Sequence, residues 1–318
     1  EYATRLQALI VELVGQAIAR QKPCTLAAGK GSCATFAVNR RNNPEKLVPE
    51  LRARGALRGP VDHDVPVLTA RDGEGQLTAV VFGFACHATV TSLFKWSGDY
   101  PGFAQTAVER ANPGALALFW AGCGADQNPL PRRQMALAEK YGQDLADAVQ
   151  QAIRQGFASV GGPIRSAYAE IELPYATKPD PDVLRAIALG PETKDRKTQW
   201  ARLVLLRAQR DGGLRESYPY PVQTWRFSGG GPGWVFLGGE VVVDYSLRLK
   251  KELGPAAIWV AGYSNDVMNY IPSTRVWDEG GYEGDTAYSH AYGLPARWSR
   301  DTEERIIAEV RRQLGRSP

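Results

Sequence analysis

The sequence predicts an α/β fold: a mixed β-sheet core flanked by helices, with an active-site crevice at the carboxyl ends of the strands. Three observations lead there. The chain of 318 residues is 44% hydrophobic and 23% charged, which is enough apolar material for a sizeable core and too little charge for wholesale disorder. Segments of helical period alternate with short apolar runs of strand length. Finally, several of those runs stop abruptly in clusters of polar and small residues, and in open α/β sheets ligands bind where such loops converge.

Taken in order, residues 3–20 carry Leu6, Ile10, Leu13, Ala17 and Ile18 at helical spacing and predict an amphipathic helix. Residues 24–39 are interrupted by glycine and turn strand-like over 34–38. The runs 66–71 and 77–85 flank Asp72-Gly73-Glu74-Gly75-Gln76 and read as a hairpin. A helix is expected over 103–111, a fully buried strand over 115–121 (ALALFWA), and a long helix over roughly 132–155. Residues 164–173 suggest another strand, and 180–213 are rich in charge and helix formers. Two strand-like runs within 218–239 are separated by Ser228-Gly229-Gly230-Gly231-Pro232-Gly233. Residues 241–253 read as a helix with Glu240 at its start, and 256–262 as a strand. The stretch 263–300, rich in Gly, Tyr and Trp, has little periodicity and reads as a long functional loop or lid. Residues 301–315 form a charged terminal helix. With no repeat and no linker, residues 1–318 read as one catalytic domain.

Composition narrows the partners. The net charge is +4, from 38 basic and 34 acidic residues dispersed among one another, so no nucleic-acid stripe is present. No run of about 18 uncharged apolar residues exists, so no transmembrane helix is expected. The N-terminus shows neither a signal peptide nor an initiator Met and starts inside a helix, so an upstream segment is expected to have been removed. The cysteines, Cys24, Cys33, Cys86 and Cys123, form no C-x-x-C pair. Cys24 and Cys33 would close a short loop in an oxidising compartment, or all are free thiols.

The polar clusters carry the candidate chemistry. LTAVVFGFA leads into Cys86-His87-Ala88-Thr89, and ALALFWA into Gly122-Cys123-Gly124-Ala125-Asp126-Gln127-Asn128-Pro129. WVFLGG leads into Glu240, and AAIWVAG into Tyr263-Ser264-Asn265-Asp266, then Asn269-Tyr270. Taken singly these residues stay ambiguous. His87 reads as a structural hydrogen-bonding residue or a ligand, Glu240 as a favourable charge in a first helical turn or a ligand, and Tyr270 as an ordinary loop aromatic. Gly29-Lys30-Gly31 lacks the rest of a phosphate-binding loop. No G-x-S-x-G elbow exists, and adjacent Cys86 and His87 point to opposite faces, which excludes a dyad.

In combination the motifs are more specific. Asn39-Arg40-Arg41, FACHATV, Ser97-Gly98-Asp99-Tyr100-Pro101-Gly102, GCGADQNP, Gly239-Glu240, SNDVMNYIPS and Gly281-Tyr282-Glu283-Gly284 follow in an order that resembles the neutral/alkaline, non-lysosomal ceramidase family over roughly residues 1–290. The resemblance implies a zinc-dependent hydrolase that cleaves the amide bond of ceramide or a related N-acyl lipid with metal-activated water. It implies His87, Glu240 and Tyr270 as zinc ligands, with Tyr282 as the fallback for the tyrosine ligand and otherwise as a tyrosine near the scissile amide. Arg40, Asp99, Asp126, Gln127 and Asn265 fall in its substrate region. Zinc accepts imidazole and carboxylate donors and keeps a position for water, whose pKa it lowers towards ~7.

The sequence departs from the family in three ways. The H-x-H motif that supplies the family's other His ligand is absent; neither His63 nor His290 matches it, so the fourth ligand is expected upstream of residue 1. The Ser of the Gly-rich loop is replaced within Ala125-Asp126-Gln127-Asn128-Pro129. No immunoglobulin-like domain is expected to follow. A catalytically impaired ligand-binding relative, or a hydrolase of another amide or ester on the same scaffold, remain the alternatives. The resemblance also implies a secreted, periplasmic or membrane-associated protein with peripheral membrane contact, to which Trp277, Tyr282 and Tyr288 would contribute either a lipid-facing rim or a packed loop.

Overall fold

The computed structural model describes residues 1–190 and 195–315. Its core is two mixed sheets packed face to face, each covered on its outer face by helices. In the first sheet the order is β5-β4-β3-β1-β7, with β1 Thr25–Ser32, β3 Asp64–Arg71, β4 Leu77–Phe84, β5 Leu116–Ala121 and β7 Ala158–Val160. The pair β4–β5 is parallel, and β3 joins β4 and β1 antiparallel. In the second sheet the order is β12-β10-β9-β8, with β8 Ile164–Pro174, β9 Ser217–Phe227, β10 Gly233–Leu237 and β12 Ile258–Ala261. Here β10–β12 is the parallel pair.

Strand alternation assigns each side chain its layer, because successive residues face opposite ways. On β4, Val80, Phe82 and Phe84 pack with Val65, Val67 and Ala117 against helices α3 (Asp99–Ala111) and α4 (Met135–Gln155), through Ala104, Val108, Leu145 and Val149. Each fully buried Val, Leu or Phe among them contributes roughly 1.5–3 kcal/mol. Val81 and Trp120 face the other way, onto Trp225, Trp234, Phe236 and Trp259 of the second sheet. That sheet turns Val222, Val235, Leu237 and Val260 outward onto helices α7 (Asp244–Leu253) and α9 (Thr302–Gln313), through Tyr245, Leu249, Ile306 and Val310. The aromatic layer between the sheets leaves room for Trp120 because Gly83 stands opposite it in the register; a Cβ at Gly83 would lie 2.2 Å from that indole.

Several expected elements shift for identifiable reasons. The glycine-interrupted stretch is a full strand, β1, since a Cβ at Gly29 would lie 2.1 Å from the Phe157 ring and one at Gly31 2.6 Å from the Ala148 carbonyl. The strand-like run at 34–38 shortens to β2, Ala37–Asn39, which pairs with β6, Gln127–Pro129. β5 is not fully buried: Leu116 and Leu118 are exposed, because it is an edge strand. The stretch 180–213 holds two helices, α5 (Pro181–Ala188) and α6 (Arg196–Asp211), each capped by the aspartate before it, Asp180 and Asp195; residues 191–194 lie outside the described residues. The loop 263–300 contains β13 (Tyr270–Ile271), helix α8 (Thr274–Glu279) and two π-helical turns, Tyr282–Thr286 and Tyr288–Tyr292. Glu240 does not start a helix. It lies in β11, Glu240–Val241, and α7 begins only at Asp244.

The predicted N-terminal helix forms as α1, Tyr2–Ala19, with no buried residue. Among the described residues no helix is long and apolar enough to cross a membrane. The cysteines are free, with Cys24 exposed and Cys33, Cys86 and Cys123 buried.

Candidate functional site

The site lies where parallel strands of both sheets end. The carboxyl ends of β5 and β12 meet: Gly122 bridges Ala261, and the Gly262 amide donates to the Ala121 carbonyl at 3.1 Å. Four segments thus converge: the one after β4 with His87, the one after β5 with residues 122–129, the one after β10 with Glu240, and the one after β12 with Tyr263 and Tyr270. The Ala125 amide donates to the Val241 carbonyl at 3.2 Å, tying the second of these to the third. β11 and β13 pair in parallel with Glu240 opposite Tyr270. Gly239 makes that pairing possible. It has φ +74°, and a Cβ there would lie 2.6 Å from the Asn269 carbonyl oxygen. Gly124 serves likewise, since its Cβ would lie 2.5 Å from the Cys86 nitrogen and push the loop off the His87 segment.

His87, Glu240 and Tyr270 come together. His87 Nε2 is 3.6 Å from Glu240 Oε2 and 3.4 Å from the Tyr270 hydroxyl. The same nitrogen lies 2.8 Å from the Ala125 carbonyl oxygen. Burial, then the Arg40 charge, lowers the His87 pKa to about 3, so the ring is neutral at pH 7. Tyr270 is buried, and burial and Glu240 keep its hydroxyl protonated, Arg40 acting against them. Two tyrosines that the motif reading did not single out hold Glu240. The Tyr263 hydroxyl donates to Oε2 at 3.2 Å, and the Tyr292 hydroxyl donates to Oε1. Tyr263 sits at φ +54°, a conformation that costs a non-glycine residue of order 1–3 kcal/mol and concentrates at functional sites. Its signal in the sequence was its place directly after a strand; Tyr292 carried none.

Arg40 supplies positive charge to the cluster. It follows β2, its amide donates to the Asp126 carbonyl at 2.7 Å, and its Nε donates to Asn128 Oδ1 at 3.0 Å. Its Nη1 donates to the Tyr270 hydroxyl at 3.1 Å and to Glu283 Oε1 at 2.9 Å. Burial opposes its charge, but Tyr270 and Glu283 raise its pKa above the ordinary arginine value. The Tyr282 ring meets that of Tyr270 edge-on at 5.1 Å and stays 40% exposed, so it borders the cluster. Trp277 and Tyr288 are packed: the Trp277 indole donates to the Trp298 carbonyl at 2.8 Å, and Tyr288 lies against Trp200.

The other residues expected in the substrate region spend their side chains on partners outside the cluster. Asp99 fastens the segment after His87, accepting from the amides of Val90 and Thr91 at 3.2 and 2.8 Å. Asp126 is buried between Asn39 Nδ2 at 2.8 Å and the Val243 amide at 2.9 Å, and burial raises its pKa to about 6. Gln127 donates to the carbonyls of Ala85 and Cys123 at 2.7 and 3.3 Å and accepts from the Asp62 amide at 3.2 Å. Asn265 is exposed and bonds Gln223 Oε1 at 3.1 Å.

His87 and Glu240 are donors of a kind that zinc accepts. Two ligand atoms ~2.0–2.1 Å from a tetrahedral zinc lie about 3.3 Å apart, close to the 3.4 and 3.6 Å found around His87 Nε2. The neutral phenol is the weakest donor of the three. Nε2 would have to carry a lone pair instead of the proton it shares with Ala125, with the proton moved to Nδ1. Among the described residues no group of three or more His, Cys, Asp and Glu side chains is placed to hold a metal; only the tyrosine brings the number of donors to three.

This two-sheet α/β architecture is that of ceramidases of known structure. One is neutral ceramidase from Pseudomonas aeruginosa, with a TM-score of 0.66 and 18% identity, over 97% of this chain and 55% of that one. A ceramidase complexed with C2 matches with a TM-score of 0.62 and 18% identity, over 94% of this chain and 55% of that one. The chain therefore spans little more than half the length of these neighbours. No family model and no curated protein matches the sequence.

Proposed function

We propose that this chain is the catalytic portion of a zinc-dependent amidohydrolase that cleaves the amide bond of ceramide or a related N-acyl lipid. The observation that carries the reading is the convergence of His87, Glu240 and Tyr270 at zinc-compatible spacing, at the strand ends of a fold shared with ceramidases. His87 Nε2 and a Glu240 oxygen would hold the metal, with the Tyr270 hydroxyl beside them. When bound, zinc supplies a water activated for attack and polarises the amide carbonyl.

The chain's own residues do the rest. Tyr263 and Tyr292 fix both carboxylate oxygens of Glu240 by donating to them. Burial keeps His87 neutral, so Nε2 has a lone pair for the metal once the ring proton sits on Nδ1. Arg40 Nη1 orients the Tyr270 hydroxyl and places positive charge where an oxyanion beside that hydroxyl would develop. Water adds to the carbonyl carbon, the C–N bond breaks, and the leaving nitrogen takes both protons of that water, giving a fatty acid carboxylate and an ammonium group. Metal analysis of the full-length protein together with hydrolysis of N-acyl sphingoid amides tests the reading; absence of both stoichiometric zinc and amide cleavage would end it. Preference for a short-chain or non-sphingoid amide would keep the reaction class and change the substrate.

A second reading, a metal-free ligand-binding relative, draws on the contact between His87 Nε2 and the Ala125 carbonyl. It is favoured if the full-length protein binds N-acyl lipids without zinc and without turnover.

A further inference from the structure

We propose that Glu283 is a positioning residue that holds the Arg40 guanidinium on the Tyr270 hydroxyl, acting on the reaction without touching the substrate. The inference rests on the amidohydrolase reading and assigns a role that the zinc ligands do not fill. Glu283 lies in the first π-helical turn, directly after Tyr282, and is 6% exposed. Its carboxylate spans two consecutive arginines: Oε1 accepts from Arg40 Nη1 at 2.9 Å and Oε2 from Arg41 Nη1 at 3.2 Å. The Arg40 nitrogen bound to Glu283 is the one that also donates to the Tyr270 hydroxyl at 3.1 Å. One nitrogen therefore has two acceptors, and the charged one dominates its direction, because hydrogen bonds between ionised groups are roughly twice as strong as neutral ones.

Two further features support this role. Arg40 and Arg41 would repel one another in a water-poor setting, and Glu283 is the carboxylate common to both. Arg41 is anchored on its far side by Glu279 of α8, so the pair of arginines ties the segment bearing Tyr282 to β2. A neutral amide in place of Glu283 keeps the shape but weakens the hold on Nη1. The guanidinium is then free to turn from Tyr270 towards water.

The test uses the full-length protein with Glu283→Gln, Glu283→Asp, Arg40→Ala and the double variant Arg40→Ala/Glu283→Gln. With an N-acyl sphingoid amide, Glu283→Gln is expected to lower kcat about 10–100-fold, the loss common for an outer partner of a metal site. KM and zinc content should stay near those of the wild type. The double variant should be no slower than Arg40→Ala alone, and Glu283→Asp should recover most of the rate.

A second measurement does not depend on activity: the fluorine resonance of 3-fluorotyrosine at position 270. Glu283→Gln should move it in the same direction as Arg40→Ala, and the double variant should add nothing. A resonance unmoved by Glu283→Gln, or a rate loss that multiplies with that of Arg40→Ala, overturns the proposal. A wild type that cleaves no amide removes the amidohydrolase reading, while the fluorine shift still decides whether Glu283 positions Arg40.

Discussion

Replacing Lys250 with methionine tests the polar connection behind the site. Lys250 lies on α7, and its ammonium reaches Asp62 at 2.6 and 2.7 Å and Asp64 at 2.9 Å, at the entrance to β3. The side chains of Lys250 and Asp62 are 9% and 8% exposed. Methionine keeps the length of the apolar stem and removes the charge, leaving the Asp62 carboxylate buried without its counter-ion. Breaking such a pair costs about 3–5 kcal/mol. Asp62 retains the Ser246 hydroxyl at 2.7 Å and the Asp64 amide at 3.2 Å, so the loss is expected near the lower end, about 3 kcal/mol. Urea unfolding should show a lower midpoint with an unchanged slope. Adding Asp62→Leu should recover part of the loss, because no unpaired charge is then buried.

The pH dependence of this cluster follows from the direction of each shift. Burial opposes the Lys250 charge, but Asp62 and Asp64 raise its pKa above 10.5. The stability it supplies is full below pH 10.5 and is lost as pH rises through the folded value. Burial likewise opposes the Asp64 charge, yet Lys250 and Lys30 bring its pKa below 3.8. That contribution is present above pH 3.8 and is lost as pH falls through the folded value. The difference between wild type and variant should be flat across neutral pH and shrink at both extremes. A loss under about 1 kcal/mol, or a double variant less stable than Lys250→Met, would refute the assignment of a buried ion pair.

Three further outcomes are expected. His87→Ala and Glu240→Ala should each abolish zinc binding by the full-length protein, read by metal analysis; stoichiometric zinc in both would refute the ligand assignment. Gln127→Leu should cost about 1–3 kcal/mol in chemical unfolding, because the Ala85 and Cys123 carbonyls and the Asp62 amide lose a buried partner. A change within about 0.5 kcal/mol would show that water replaces the amide. Gly83→Ala should destabilise by about 1–3 kcal/mol by forcing Trp120 out of the aromatic layer, and its tryptophan emission should shift; an unchanged spectrum and stability would contradict that packing.

Much of the architecture was legible because it follows from local periodicity. The hairpin of β3 and β4 and the helix α4 express patterns of period 2 and 3.6, and β10 and β12 show as short apolar runs. His87, Glu240 and Tyr270 were legible as an ordered set of motifs. Other features depend on close approach between distant segments. The glycines of β1 look like a loop until Phe157 and the Ala148 carbonyl are placed against them. Asp126 and Gln127 carry the polar signature of substrate contacts, but Asn39, Val243, Ala85 and Cys123 supply internal partners from far along the chain.

The sequence by itself determined where the apolar strand runs lie, where they stop, and which polar residues follow them, since side-chain period and turn chemistry are local properties. It did not determine that there are two sheets, or that the strand ends of both meet at Gly122 and Ala261. It gave no sign that Tyr292 closes on Glu240, or that Glu283 spans Arg40 and Arg41. Those contacts join segments separated by tens to hundreds of residues. Only packing brings them together, because each buried hydroxyl, carboxylate and guanidinium must find a partner once water is excluded.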